Sequence, residues 1–205
     1  MEILSLGLDD DAILLPPQDT YALPKPLCFY GGSIMHGSSS RPGLSYPALI
    51  GRLLNADVWN FGYSGVGKGE PFFAREMARR DAACYILGYG ENNKEPELMR
   101  QTHYPFLQIL KEIKPDTPAI LLAPTRRAFE VWNRKQRAKV DEFAAITRES
   151  YERGLAAGMR ELYYIDTFFP VEAGDLTLDK THLSDAGAFY AAEKLAPQIA
   201  AILKI

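Results

Sequence analysis

The run Leu27-Cys28-Phe29-Tyr30-Gly31-Gly32-Ser33-Ile34 sets the reading of this chain. Four consecutive apolar residues, with no polar alternation, fit a short strand buried on both faces. Two glycines and a serine then break it. The same unit recurs downstream: a short apolar run, a polar or glycine-rich turn, a long amphipathic segment. Strands are expected at residues 27–30, 58–61, 84–87, 119–122 and 162–165. Helices are expected at 46–54, from about 70, at 97–113, at 133–157 and at 185–203. Strand–helix alternation with short connections implies a parallel sheet covered on both faces. Right-handed crossovers then make the fold class α/β, a three-layer α/β/α sandwich on a five-stranded parallel sheet.

Two stretches interrupt the rhythm. Residues 1–25 hold Asp9–Asp11, Pro16, Pro17 and Pro24, and read as an extended N-terminal arm before a domain at 26–205. The arm's apolar parts, residues 3–8 and 13–15, suggest that it packs on something. Residues 124–132 form a long connection after the fourth strand, and long loops at that edge are often functional.

Composition narrows the classes. The 205 residues are 47% hydrophobic and 24% charged, with a net charge of −3 and no long basic run, which disfavours a nucleic-acid binder. The longest apolar runs are too short for a transmembrane segment. Glu2 and Asp9–Asp11 stand where a signal peptide would be basic, which tilts the expectation toward the cytoplasm. Cys28 and Cys84 lie in apolar stretches and read as small buried hydrophobes. Neither belongs to a ligand-spaced cluster, so no structural zinc site is expected.

In open parallel sheets, ligands bind at the carboxyl ends of the strands. The residues after each strand are therefore the ones to inspect. Gly31-Gly32-Ser33-Ile34 follows the first, Gly62-Tyr63-Ser64-Gly65 the second, and Gly90-Glu91-Asn92-Asn93 the third. Asp179-Lys180-Thr181-His182 follows the fifth across a loop. A serine hydroxyl becomes a nucleophile when a histidine can take its proton, and the histidine needs a carboxylate to hold its tautomer. Ser33, His182 and Asp179 supply these groups, with Asp166 as the second choice of acid. Gly65 can bring a backbone N–H close and Asn92 can add an amide donor for an oxyanion. Ser33 can add its own N–H if a helix begins just after it. Singly, each residue reads as turn or cap chemistry; together, on one edge, they read as one site.

These blocks resemble the SGNH hydrolase superfamily of GDSL-like lipases and acylhydrolases. Ser33, Gly65, Asn92 and His182 match its four signature positions, and Asp179 its acid. The stretches Tyr30–Ile34, Ser40-Arg41-Pro42-Gly43, Tyr46-Pro47 and Asn60–Gly65 resemble one branch of acylhydrolases. Gly32 replaces the aspartate of the usual Gly-Asp-Ser-Leu block, and Asn93 replaces the usual aspartate after Asn92. The resemblance, over residues 26–203, implies a flavodoxin-like sheet and cofactor-free hydrolysis of carboxylic esters of small molecules or carbohydrates. Gly32 and His36 are expected to line the site. Arg126 and Arg127 are candidates for binding an anionic or sugar substrate, against the alternative of two solvated arginines. His103, among apolar residues of a helix, is expected to be structural. Oligomeric state is left open.

Three other readings stand beside this one. Gly62–Gly69 comes within one residue of a phosphate-binding loop, with Gly69 where a hydroxyl should hold magnesium. A binding module could keep the fold without the chemistry. An acyltransferase would use the same serine with an alcohol acceptor in place of water.

Overall fold

The computed structural model describes residues 4–15, 21–126, 128–167 and 176–205. Five strands form one parallel sheet in the order β2-β1-β3-β4-β5. They are β1 (Leu27–Gly31), β2 (Val58–Gly62), β3 (Cys84–Gly88), β4 (Ala119–Leu122) and β5 (Leu162–Ile165). The helices are α1 (Ser33–His36), α2 (Tyr46–Leu53), α3 (Pro71–Ala78), α4 (Pro96–Ile113), α5 (Arg134–Ala156) and α6 (Asp185–Leu203). This is the architecture expected from the alternation of runs. Not among the expected helices are α1, a single turn that starts at Ser33 itself, and the short 3-10 turn Ala128–Val131.

The sheet's two faces carry separate cores because side chains alternate along each strand. Leu27 and Phe29 face α2 and α6, packing with Leu49, Ile50, Ala191 and Leu195. Cys28 and Tyr30 face α3 and α4, packing with Met77, Phe106 and Leu110. Burying a side chain such as Ile50 contributes about 1.5–3 kcal/mol, so these two layers fix where β1 ends. All five β1 residues are buried, whereas β2 at the sheet edge is half-exposed. Burial also pushes the Cys28 thiol up to about 12, which leaves it an inert core group.

Residues 4–15 make one turn, closed by the Ala12 N–H on the Asp9 carbonyl. Leu4, Leu6, Leu8, Ile13, Leu14 and Leu15 are exposed, so the packing expected of these stretches is not made against the described part of this chain. No described helix is long and apolar enough to cross a membrane.

Candidate active site

Strand order 2-1-3-4-5 means that the chain leaves β1 toward one side and later strands build on the other. The crevice between the carboxyl ends of β1 and β3 is the switch point of such a sheet. Ser33 follows β1 there and Asn92 follows β3.

Gly31 and Gly32 bring the chain from β1 directly into α1, and Gly31 is fixed by close approach. A Cβ on it would overlap the Gly88 carbonyl of β3 and the side chain of Met35. Asn60 secures the far end of α1, donating from Nδ2 to the Met35 carbonyl at 3.0 Å. Ser33 is the first residue of α1, where a backbone N–H has no acceptor within its own helix.

His182 arrives on a short loop closed on itself. The Leu178 N–H donates to the His182 carbonyl at 2.9 Å, and the Ser184 N–H donates to the Leu176 carbonyl at 3.0 Å. Ser184 then caps α6, accepting from the Gly187 N–H at 3.1 Å. A side chain at Gly187 would strike the Leu176 carbonyl, so this glycine lets the loop lie on the helix.

Within the loop, Asp179 holds both the backbone and the imidazole. Its Oδ1 accepts from the N–H groups of Thr181 at 3.0 Å and His182 at 2.7 Å. Its Oδ2 lies 2.6 Å from His182 Nδ1. Donation by the His182 N–H is the main cause that brings the Asp179 carboxyl down to about 2. On the other side of the ring, His182 Nε2 is 2.8 Å from Ser33 Oγ. A proton can pass between hydroxyl and imidazole at that distance, with the ring's other nitrogen facing a carboxylate. Asp166, the other candidate acid, is exposed beyond β5, and the carboxylate on His182 is that of Asp179.

The β2–α3 loop forms the opposite wall. Gly65 sits at φ +74°, a conformation that favours glycine, and a Cβ there would meet nothing. Its N–H has no backbone acceptor among the described residues. Asn92 leans over this loop, donating from Nδ2 to the Val66 carbonyl, with the Tyr63 carbonyl at 3.5 Å. The same amide packs on Gly32. Neighbouring Asn93 points inward and is buried, its N–H donating to the Gly90 carbonyl at 2.9 Å. The two asparagines therefore face different surroundings, as adjacent turn residues generally do.

The phosphate-loop reading of Gly62–Gly69 does not suit this wall. The Lys68 N–H is taken by Glu70 Oε2 at 2.9 Å and the Gly69 N–H by the Tyr30 hydroxyl at 3.0 Å. Thr102 Oγ1 donates to the Lys68 carbonyl at 2.7 Å. The N–H groups that would cradle a phosphate are instead taken by Glu70 and by Tyr30 of β1, while the Lys68 carbonyl ties the loop to α4.

The remaining candidates fall as follows. His36 is exposed at the end of α1, with Nδ1 3.2 Å from Ser38 Oγ, and it makes no contact with the Ser33 hydroxyl. Arg126 is held by the buried Glu130, at 3.1 Å, and by Asp141, so its guanidinium is committed within the protein. Arg127 lies outside the described residues. His103 is buried and stacked on Tyr89 with ring centroids 4.9 Å apart, and burial brings its pKa down to about 3. Sequence reasoning did not foresee Arg41, whose backbone N–H and Nε both reach the Asp185 carboxylate.

At the carboxyl edge of this doubly covered parallel sheet, Ser33, His182 and Asp179 thus stand in one hydrogen-bonded series. The chain belongs to the GDSL-like lipase/acylhydrolase family, whose model matches residues 24–200. Among solved structures, a GDSL-like lipase-family protein from Bacteroides ovatus shares 32% identity at a TM-score of 0.83, over 88% of this chain and 54% of its own. The salicylyl-acyltransferase SsfX3 of a tetracycline biosynthetic pathway shares 23% identity at 0.75, over 88% of this chain and 56% of its own. A family two carbohydrate esterase from Clostridium thermocellum, solved with cellohexaose, shares 18% identity at 0.73, over 93% of this chain and 67% of its own. This chain thus spans about half the length of the first two. No curated protein matches it.

Proposed function

We propose that this protein is a serine esterase that cleaves a carboxylic ester of a small molecule or carbohydrate through an acyl-enzyme on Ser33. One observation carries the reading: His182 bridges Ser33 Oγ at 2.8 Å and Asp179 Oδ2 at 2.6 Å. Ser33 Oγ attacks the ester carbonyl carbon while His182 Nε2 takes the hydroxyl proton. Asp179 keeps the Nδ1 proton in place and stabilises the imidazolium. His182 returns its proton to the departing alkoxide as the carbon–oxygen bond breaks, leaving the acyl group on Ser33. It then deprotonates a water that attacks the acyl carbon, and hands that proton back to Ser33 as the acid leaves.

The negative oxygen that forms in each half needs donors already in place. The N–H groups of Ser33 and Gly65 supply two. Asn92 carries two amide hydrogens; the Val66 carbonyl accepts one, and the other, now on the longer 3.5 Å contact with the Tyr63 carbonyl, would turn to the oxyanion as the third donor. Turnover of 4-nitrophenyl acetate and labelling by a fluorophosphonate test the reading together. The label should fall on Ser33, and Ser33→Ala should abolish turnover with the fold intact. Labelling at Ser64 by an active Ser33→Ala protein would refute it.

A further inference from the structure

On the Asp179 side of the site the surface is aromatic and cationic. Trp132, just past the short 3-10 turn Ala128–Val131, is 63% exposed. Lys180 lies within the Asp179–His182 segment, and its Nζ sits 5.5 Å from the centre of the Trp132 ring. The contact ties this indole to the loop that holds the candidate acid and base, while most of the ring stays open.

The exposed charges around it that lack an ion-pair partner are positive. Arg134 and Lys135, next along the chain, are exposed, and among the described residues neither they nor Lys180 has a carboxylate at ion-pair distance. The nearby carboxylates of Glu130 and Asp141 are turned onto Arg126 instead. An exposed indole face offers stacking to the C–H face of a sugar ring, whose hydroxyls remain hydrated at an open surface. An ammonium beside it selects for a ligand with negative charge.

We propose that Trp132 and Lys180 form a subsite for a sugar bearing a carboxylate, so that the ester cleaved at Ser33 is carried on an acidic saccharide. The inference rests on the esterase reading and names its substrate class. Trp132 stacks on the pyranose ring, Lys180 pairs with the carboxylate, and the acylated hydroxyl of the same or the next sugar is presented to Ser33.

The test separates the two readings. Binding of unesterified trigalacturonic acid, and of neutral xylotriose, is measured by calorimetry on the Ser33→Ala protein. Turnover of their acetylated forms and of 4-nitrophenyl acetate is measured on the protein with Ser33 intact. The acidic trisaccharide should bind more tightly than the neutral one, and less tightly as salt is raised. Trp132→Ala should weaken that binding about tenfold, raising KM for the acetylated acid by a similar factor and more than for 4-nitrophenyl acetate. Lys180→Gln should abolish the preference for acid over neutral sugar. Equal binding of both trisaccharides, or equal losses on all esters in both variants, would overturn the subsite while ester turnover keeps the esterase reading. Tight acidic-sugar binding with no ester turned over would overturn the esterase reading and keep the subsite.

Discussion

Arg41 grips Asp185 at two points, its backbone N–H on Oδ1 at 2.9 Å and its Nε on Oδ2 at 2.5 Å. Arg41 belongs to the loop after α1, and Asp185 opens α6 three residues after His182. Beside them Ser40 Oγ lies 3.5 Å from the Leu183 carbonyl. Two segments that meet only in the folded chain are thus fastened together just beyond Ser33 and His182 in the sequence. The pull of the Arg41 N–H, and then of its side chain, holds the Asp185 carboxyl below the usual carboxylate range.

Because the Arg41–Asp185 pair is exposed, its worth should show in alignment more than in stability. Arg41→Ala should lower kcat about tenfold, as a small misplacement of reacting groups does. KM and the melting temperature should change little. An unchanged kcat would make the pair a surface ornament.

Asp179→Asn tests how the acid acts. The carboxamide oxygen can still accept from Thr181 and His182, so the loop should keep its shape. The amide nitrogen, however, would present a donor to His182 Nδ1 and favour the wrong tautomer. A fall in kcat of about 10⁴ is expected, with a modest drop in melting temperature, because the carboxylate's stabilising charge is lost while its backbone hydrogen bonds are kept. A mild loss there beside a severe one in Asp166→Asn would move the role to Asp166.

Acid should destabilise the fold through two groups, over ranges that overlap only between about pH 3 and 4. Asp179 is lowered to about 2, so its stabilising ionised form is fully present above the unfolded value of about 3.9 and is lost as pH falls through about 2. His103, lowered to about 3, stays neutral in the fold while the unfolded chain takes up a proton below about 6.5. Stability is therefore lost from about pH 6.5 down to about pH 3 on its account. His103→Phe, which keeps the stack on Tyr89, should flatten the stability–pH curve across that range in urea titrations. Asp179→Asn should flatten it only below about pH 4. Curves that coincide with the unsubstituted protein at every pH would refute both assignments.

The sheet was legible because each strand is a short, mostly apolar run that a polar or glycine-rich turn closes, and the inner strands β1, β3 and β4 are buried along almost their whole length. The helix at Ser33 was harder to see. A four-residue turn has no amphipathic period, and it is fixed by tertiary contacts from Asn60 and by the closeness of Gly31 to β3. That Ser33, Asp179 and His182 would come together was readable from their places after strands. Arg41 was not, since nothing local marks a residue whose partner lies 144 positions away. Arg126 looked available in the sequence for the converse reason: its buried partner Glu130 is an ordinary acidic residue until the chain folds.

Gly32 and Asn92 make the last test, and it concerns why glycine stands before the serine. Gly32 has φ −89° and ψ −152°, extended backbone that any residue adopts, so conformation does not require glycine there. Space does: a Cβ would overlap Asn92 Nδ2 and come 3.2 Å from its Cγ. Gly32→Ala should therefore displace the Asn92 amide from the reaction centre while leaving Ser33 and His182 in place. Asn92→Ala removes the same donor outright, and should cost on the order of 10²–10³ in kcat with little change in KM. If the glycine serves only to seat that amide, the two losses will not add, and Gly32→Ala will cost almost nothing further once Asn92 is alanine. Asn93→Ala serves as the control, since Asn93 is buried and should act on stability rather than on the chemical step. Kinetics and melting curves on the four proteins decide it. Additive losses at Gly32 and Asn92, or a kcat loss confined to Asn93, would show that the oxyanion is met by another donor.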